Sequence, residues 1–80
     1  MNLQNHYFKV EMKIFFKDHN HIEKDFFTTL KEAEDCFSSQ FKSLEYGFLQ
    51  NRINHYSLVL AEVFTDEQRT VIHKTRKAPL

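Results

Sequence analysis

The residues from Phe8 to Phe16 alternate between apolar and mostly charged side chains, and no other feature constrains the fold as strongly. One side of the alternation consists of Phe8, Val10, Met12, Ile14 and Phe16. The other side consists of Lys9, Glu11, Lys13, Phe15 and Lys17. A period of two is typical of a β-strand with one buried face. The sequence therefore predicts a sheet with one apolar face to be covered and one face turned toward solvent or a partner.

A polar cluster at residues 18–21 follows this strand and favours a turn, because Asp, Asn and His tolerate turn conformations. Residues 22–28 then predict a second strand, although Phe26 and Phe27 are adjacent and cannot both face the core. The two strands form an antiparallel hairpin over about residues 7–28.

The C-terminal part of the chain predicts a second hairpin over about residues 56–75. Residues 56–64 are apolar on both faces, which is typical of a central strand. A polar turn at residues 65–68 separates them from a fourth strand. Residues 78–80 are expected to form a loose end.

A helix is predicted between the two hairpins. Thr29 is a good N-cap and Glu32 follows three residues later, which fits a capping box. An apolar stripe at helical spacing comes next, formed by Leu30, Ala33, Phe37, Phe41 and Leu44. Gly47 stands where a left-handed residue would end a helix. We expect the helix over about residues 30–46 and a connection over residues 47–55.

The predicted order of elements is ββαββ, and it indicates an α+β fold. The economical arrangement is a four-stranded antiparallel sheet with one helix packed on one face. A chain of 80 residues has room for one domain with one small core.

The charge balance and the cysteine content narrow the classes of function. Eleven Lys and Arg residues balance eleven Asp and Glu residues, which argues against a DNA mimic and against a generic binder of polyanions. The chain shows no apolar run of the ~18 residues that cross a membrane and no signal-peptide core near its start. Cys36 is the only cysteine, so no internal disulfide can form, and we expect a cytoplasmic protein.

Residues with metal-binding or catalytic potential are few. His19 and His21 stand beside Asp18 at a spacing that could ligate zinc, but a turn needs polar residues there and a second ligand pair is missing. Cys36 is better explained as a small half-buried side chain than as a nucleophile. One glycine cannot build a phosphate-binding loop. We therefore expect no enzyme, no cofactor and no bound metal.

The chain holds more large apolar side chains than one helix over a sheet can cover. Phe15 falls on the uncovered side of the first strand. Phe48, Leu49 and Ile53 fall in the predicted connection, where they either form a contact surface or fold back over the core. Exposed apolar clusters are typical of protein interfaces. The predicted protein contacts are Phe15, Tyr46, Phe48, Leu49 and Arg52, with an acidic alternative at Glu32, Glu34 and Asp35.

The second interpretation is a small nucleic-acid-binding regulator with a basic sheet face. RNA-binding sheets stack bases on exposed aromatic rings beside basic residues. The basic residues that would contact nucleic acid are Lys9, Lys13, Lys74, Arg76 and Lys77. Lysines on edge strands also simply discourage aggregation. Because residues 18–35 carry two lysines against six acidic residues, direct nucleic-acid binding ranks second to protein binding.

The order of elements resembles that of small ββαββ proteins of phages and mobile elements, of the anti-CRISPR and host-takeover inhibitor type. The resemblance lies in a hairpin, a polar helix start (Thr28-Thr29-Leu30-Lys31-Glu32-Ala33-Glu34-Asp35) and a second hairpin. It implies a non-enzymatic inhibitor that binds a host protein or ribonucleoprotein complex stoichiometrically in the host cell cytoplasm. A homodimer is compatible with both interpretations.

Overall fold

Four antiparallel strands and one helix build residues 6–79, the part of the chain that this computed structural model describes. The elements are β1 (His6–Phe15), β2 (Asn20–Phe27), α1 (Leu30–Leu49), β3 (His55–Phe64) and β4 (Arg69–Ala78). The strands form one sheet in the order β2-β1-β3-β4. The prediction of an α+β fold with ββαββ order is confirmed.

The two hairpins meet through their first strands. β1 pairs with β2 on one side and with β3 on the other, and β4 pairs with the outer side of β3. β3 is therefore central, as its continuous apolar character predicted. Because β2 and β3 lie on opposite sides of β1, the chain between them must cross a face of the sheet. Helix α1 makes this crossing.

The helix covers the apolar side of β1, as the alternation predicted. The buried core consists of Phe8, Val10, Met12, Ile14, Ala33, Phe37, Leu44, Ile53, Tyr56, Leu58, Leu60 and Ala78. Val10, Leu58 and Leu60 have no exposed surface. The predicted helical stripe is confirmed, with Leu30 and Phe41 partly buried at its margins. This single apolar layer between sheet and helix holds the fold together.

The first hairpin turns two residues earlier than predicted. β1 ends at Phe15, and the N–H of Phe16 donates to the carbonyl oxygen of His19 at 2.8 Å. The ring of Phe16 packs against the core and stacks on His19, with centroids 4.6 Å apart. This contact closes the turn early, so His21 belongs to β2 rather than to the turn.

Gly47 does not end the helix, contrary to the prediction. It is buried inside α1, and a Cβ atom at this position would lie 2.7 Å from Cδ1 of Ile53. The close approach of Ile53 therefore explains the glycine. Near the end of the helix, the residue with a left-handed backbone is Asn51, with φ of 61°.

The helix consequently runs three residues further than predicted, to Leu49, and the connection to β3 covers residues 50–54 rather than 47–55. Ile53 is buried, and Phe48 packs against the core with its ring edge-on to Tyr56 at 6.2 Å. Leu49 remains 72% exposed. Ile53 and Phe48 therefore fold back over the core, whereas Leu49 is exposed.

The second hairpin extends further toward the C-terminus than predicted. β4 continues to Ala78, which lies opposite Tyr56 and is buried. The expectation of a loose end is wrong for Ala78, because its small side chain completes the core beside Tyr56. Leu80 lies outside the described residues.

Candidate protein interface

The side of the sheet opposite α1 has no cover among the described elements, and we call it the open face. Residues directly opposite each other on paired strands point to the same side, so the register defines its members. The open face comprises Tyr7, Lys9, Glu11, Lys13, Phe15, Asn20, Ile22, Lys24, Phe26, His55, Ser57, Val59, Ala61, Val63, Thr70, Ile72, Thr75 and Lys77.

Exposed large apolar side chains lie at both edges of the open face. Ile22 and Phe26 on β2 are 57% and 58% exposed, and Ile72 on β4 is 55% exposed. Val59 and Ala61 lie between these edges and line a shallow hollow of about 140 Å³. Several exposed large apolar side chains on one face are more typical of a binding surface than single exposed residues are.

Two aromatic pairs lie at opposite ends of the open face. Tyr7 meets Phe26 edge to face, with centroids 5.6 Å apart and an interplanar angle of 69°. Phe15 stacks on His55, with centroids 4.1 Å apart and an interplanar angle of 23°. Each ring packs on its neighbour, so a partner would meet two aromatic pairs at these ends of the open face.

The open face is basic although the chain as a whole is neutral. It carries Lys9, Lys13, Lys24 and Lys77 but only one acidic residue, Glu11, which gives +3. The remaining charged side chains of the chain therefore sum to −3. The net charge of the sequence does not reveal this separation, because the register of the strands decides which lysines share a face.

The predicted protein contacts fall on two separate surfaces. Phe15 lies on the open face, whereas Tyr46 and Leu49 are 61% and 72% exposed at the C-terminal end of α1, on the other side of the sheet. Arg52 is exposed in the following connection. Phe48 turns toward the core. The structure thus joins Phe15 to the aliphatic residues of the open face rather than to the helix end.

The acidic residues at the start of α1 are engaged with neighbours in the chain. The hydroxyl of Thr29 donates to Oε1 of Glu32 at 3.1 Å. Nζ of Lys31 donates to Oδ2 of Asp35 at 3.2 Å. Glu34 lies across the gap to β4, where its Oε2 is 3.9 Å from Nζ of Lys74. These contacts offset part of the negative charge of the predicted acidic face.

The predicted nucleic-acid residues are also divided between the two sides of the sheet. Lys9, Lys13 and Lys77 lie on the open face. Lys74 and Arg76 lie on the helix side, where their charged groups sit 5.9 Å and 5.6 Å from the ring centroids of Phe37 and Phe41, respectively. Lys24, which the sequence did not single out, joins the open face through its pairing with Glu11.

The candidate zinc residues are drawn apart by the hairpin. Nδ1 of His19 is hydrogen-bonded to Oδ1 of Asp18 at 2.7 Å, and this bond lowers the pKa of the Asp18 carboxyl. His21 lies instead within 3.4 Å of Glu23. Among residues 6–79, no three His, Cys, Asp or Glu side chains are grouped as metal ligands.

Two other groups with shifted pKa values lie away from the open face. Burial raises the pKa of the Cys36 thiol, and the charges of Asp25 and Glu23 add to the effect. A thiol with a raised pKa stays protonated at neutral pH and is a poor nucleophile. Burial also raises the pKa of Tyr56 to about 12, together with the bond that its hydroxyl donates to Oε2 of Glu45 at 3.1 Å. Both groups belong to the packing around α1.

Comparison with known proteins gives no match to a family model, to a curated protein or to a solved structure. In the described chain, α1 is not apolar enough along its length to cross a membrane. The function is therefore argued from the surface of the molecule itself, and the open face is the strongest candidate site.

Proposed function

We propose that the chain is a non-enzymatic protein-binding module and that the open face is its binding surface. The observation that carries this proposal is the exposure of Ile22, Phe26 and Ile72, each more than half exposed, on a single face. Their contact with water is unfavourable, and a partner that covers them gains the corresponding free energy. Protein interfaces combine such an apolar centre with a polar surround.

The size of the open face supports the same proposal. Four strands spaced by ~4.8 Å, each rising ~3.3 Å per residue over about ten residues, present an area on the order of 600 Å². A typical stable interface buries about 800 Å² on each partner. The open face is therefore large enough to provide most of one side of an interface.

Binding fits the surface better than catalysis does. The groups with shifted pKa values are Asp18 in the hairpin turn, Cys36 on α1 and Tyr56 in the core. Catalytic acids and bases normally sit together in a cleft. The hollow on the open face measures about 140 Å³, and a second hollow beside Phe27 measures about 320 Å³. Ligand pockets typically measure about 300–1,000 Å³. The hollow on the open face is smaller, and the hollow beside Phe27 reaches this range but contains none of the three groups with shifted pKa values.

Stoichiometric inhibition of a host complex is the finer form of this proposal. It is supported by the resemblance of the element order to small phage inhibitors, in which complex formation itself is the activity. An exposed sheet face suits such a role, because it can cover a surface of the target.

Nucleic-acid binding is the second candidate, and one observation favours it. Lys9, Lys13, Lys24 and Lys77 share the open face with the paired rings of Phe15 and His55. If the chain binds nucleic acid, its affinity should fall steeply as the salt concentration rises. Fluorescence anisotropy with single-stranded and duplex 20-mers at low salt tests it, and absence of binding there would remove it.

Quantitative affinity capture from a lysate of the cells in which the chain is naturally expressed, which are the host cells for a phage protein, tests the leading proposal. Three baits are compared: the native chain, an open-face variant with Phe26→Asp and Ile72→Asp, and a helix-end variant with Tyr46→Asp and Leu49→Asp. Both variants exchange two exposed apolar residues for two carboxylates, and circular dichroism verifies that each stays folded.

The expected result is a captured protein that the open-face variant loses and the helix-end variant retains. Loss by the helix-end variant alone would move the binding surface to the end of α1. Retention by both folded variants would contradict the proposal.

A further inference from the structure

We infer that the open face takes an acidic protein surface with an apolar ridge, rather than a second copy of this chain. This inference rests on the proposed protein-binding function and specifies its partner. It is argued from the order of charges across the four strands.

Two rows of residues across the open face differ in their apolar content and in their charge. One row across the sheet runs through Phe26, Lys9, Ala61 and Ile72 in register. A second row runs through Ile22, Lys13, Ser57 and Lys77. The two rows are four residues apart along β1, about 13 Å at ~3.3 Å per residue. The first row holds three apolar residues and one lysine, whereas the second holds two lysines and one apolar residue, so the positive charge increases over this distance.

The carboxylate of Glu11, the one acidic residue of the open face, lies beside lysines of the same face. Oε1 of Glu11 lies 3.5 Å from Nζ of Lys9, and Lys24 stands directly opposite Glu11 on β2. Lys13 and Lys77 instead flank the uncharged Ser57. The charge left for a partner to neutralise is therefore concentrated on the row of Lys13 and Lys77.

This charge pattern disfavours a second copy on the open face. A two-fold dimer brings the same patch of both subunits together, so a face with a net charge of +3 would meet itself. Juxtaposed like charges in an interface oppose association. Carboxylates on a different protein supply the complementary charge.

The pattern also favours protein over nucleic acid. A phosphate chain carries negative charge at regular intervals, whereas the positive charge left unpaired on the open face is concentrated at Lys13 and Lys77. Ile22 and Ile72 offer neither a positive charge to phosphate nor a ring to stack on a base. A protein can place an aliphatic side chain on each of them and a carboxylate beside Lys13 and Lys77. The aliphatic residues and the localised charge thus favour a protein partner.

Selection from a random 16-residue peptide library by mRNA display tests the inference with a defined probe. The baits are the native chain, an open-face reversal with Lys13, Lys24 and Lys77 changed to Glu, and a control reversal with Lys17, Lys31 and Lys42 changed to Glu. The three control lysines are exposed in the first turn and on α1, so both reversals change the net charge equally. Circular dichroism verifies folding. If the triple variant does not fold, the single variant Lys77→Glu is used in its place.

The native chain is expected to select peptides rich in Asp, Glu and large apolar residues. Their affinity should fall at least tenfold for the open-face reversal and stay within twofold for the control. It should also fall with increasing salt, because the charged contacts lie at the surface. Sedimentation at micromolar concentration should show a monomer.

Other outcomes overturn the inference in distinguishable ways. Neutral or basic peptides whose binding is abolished by Ile72→Asp would leave the proposed function standing and remove the acidic partner. Peptides indifferent to Ile72→Asp would contradict both. A dimer that Ile72→Asp dissociates would assign the face to a second copy. Tighter binding of a 20-residue oligothymidine than of any peptide, lost in the open-face reversal, would assign it to nucleic acid.

Discussion

Ile53 approaches α1 so closely that a Cβ atom on Gly47 would lie 2.7 Å from its Cδ1 atom. The chain therefore returns from the helix toward β3 across the side of the last helical turns, and Ile53 is buried there as part of the core. The short connection stabilises the fold through this contact, whereas Tyr46 and Leu49 stay exposed at the helix end.

The contact predicts that substitutions at Gly47 and Ile53 are coupled. Alanine in a helix is favoured over glycine by about 1 kcal/mol, but here its Cβ displaces Ile53. In an Ile53→Val background Cδ1 is gone, so Gly47→Ala should be more favourable than in the native chain by at least about 0.5 kcal/mol. Urea unfolding of the four proteins of the cycle measures this difference. If the effects of the two substitutions on the free energy of unfolding were strictly additive, the contact would not be tight.

The start of α1 predicts a difference between two adjacent threonines. Oγ1 of Thr29 accepts from the N–H of Glu32 at 3.2 Å, whereas Thr28 lies outside the helix. Thr29→Ala should therefore lower the free energy of unfolding by about 1 kcal/mol, and Thr29→Ser should restore most of it. Thr28→Ala serves as the control in the same denaturation series. Equal losses at the two positions would argue against the cap.

The buried hydroxyl of Tyr56 predicts a loss of stability in strong alkali. Its pKa is about 12 in the folded protein against 10.0 as the ordinary value, so between these values the folded state holds a proton that the unfolded state has released. The free energy of unfolding should therefore fall as the pH rises from about 10 to about 12.

Comparison with Tyr56→Phe isolates this effect from the titration of the lysines. The variant lacks the hydroxyl that donates to Glu45, so its stability should decline less steeply over the same pH range. Absorbance at the tyrosinate band should likewise lose its highest-pH step. Identical pH profiles of the two proteins would contradict the raised pKa.

Phe15 and Phe48 should respond to truncation in opposite ways. Phe48 packs against the core, so Phe48→Ala should lower the free energy of unfolding by about 2 kcal/mol. Phe15 lies on the open face, so Phe15→Ala should cost less stability but weaken partner binding by about 2 kcal/mol. Denaturation and titration with a captured partner measure the two effects. Unchanged affinity of a folded Phe15→Ala variant would remove this end of the open face from the interface.

Local patterns in the sequence were sufficient to predict the elements and their order. The alternation around Val10, the helical stripe around Phe37 and the cap at Thr29 each reflect interactions within a few residues of the chain. Such patterns depend on backbone geometry and solvent exposure alone, so no knowledge of distant contacts is needed. The uncovered position of Phe15 followed from the same alternation.

The tertiary structure decided the features that depend on residues far apart in the chain. Gly47 was wrongly predicted to end the helix, because its lack of a side chain instead makes room for Ile53. Ala78 was wrongly predicted to lie in a loose end, because it pairs with Tyr56 at the end of β4. The basic open face also became visible only in the folded chain, since pairing of the strands brings Lys24 and Lys77 to the side of Lys9. The sequence by itself determined how each strand alternates. Only the register between strands, which long-range packing sets, decided which charges and apolar groups share a surface.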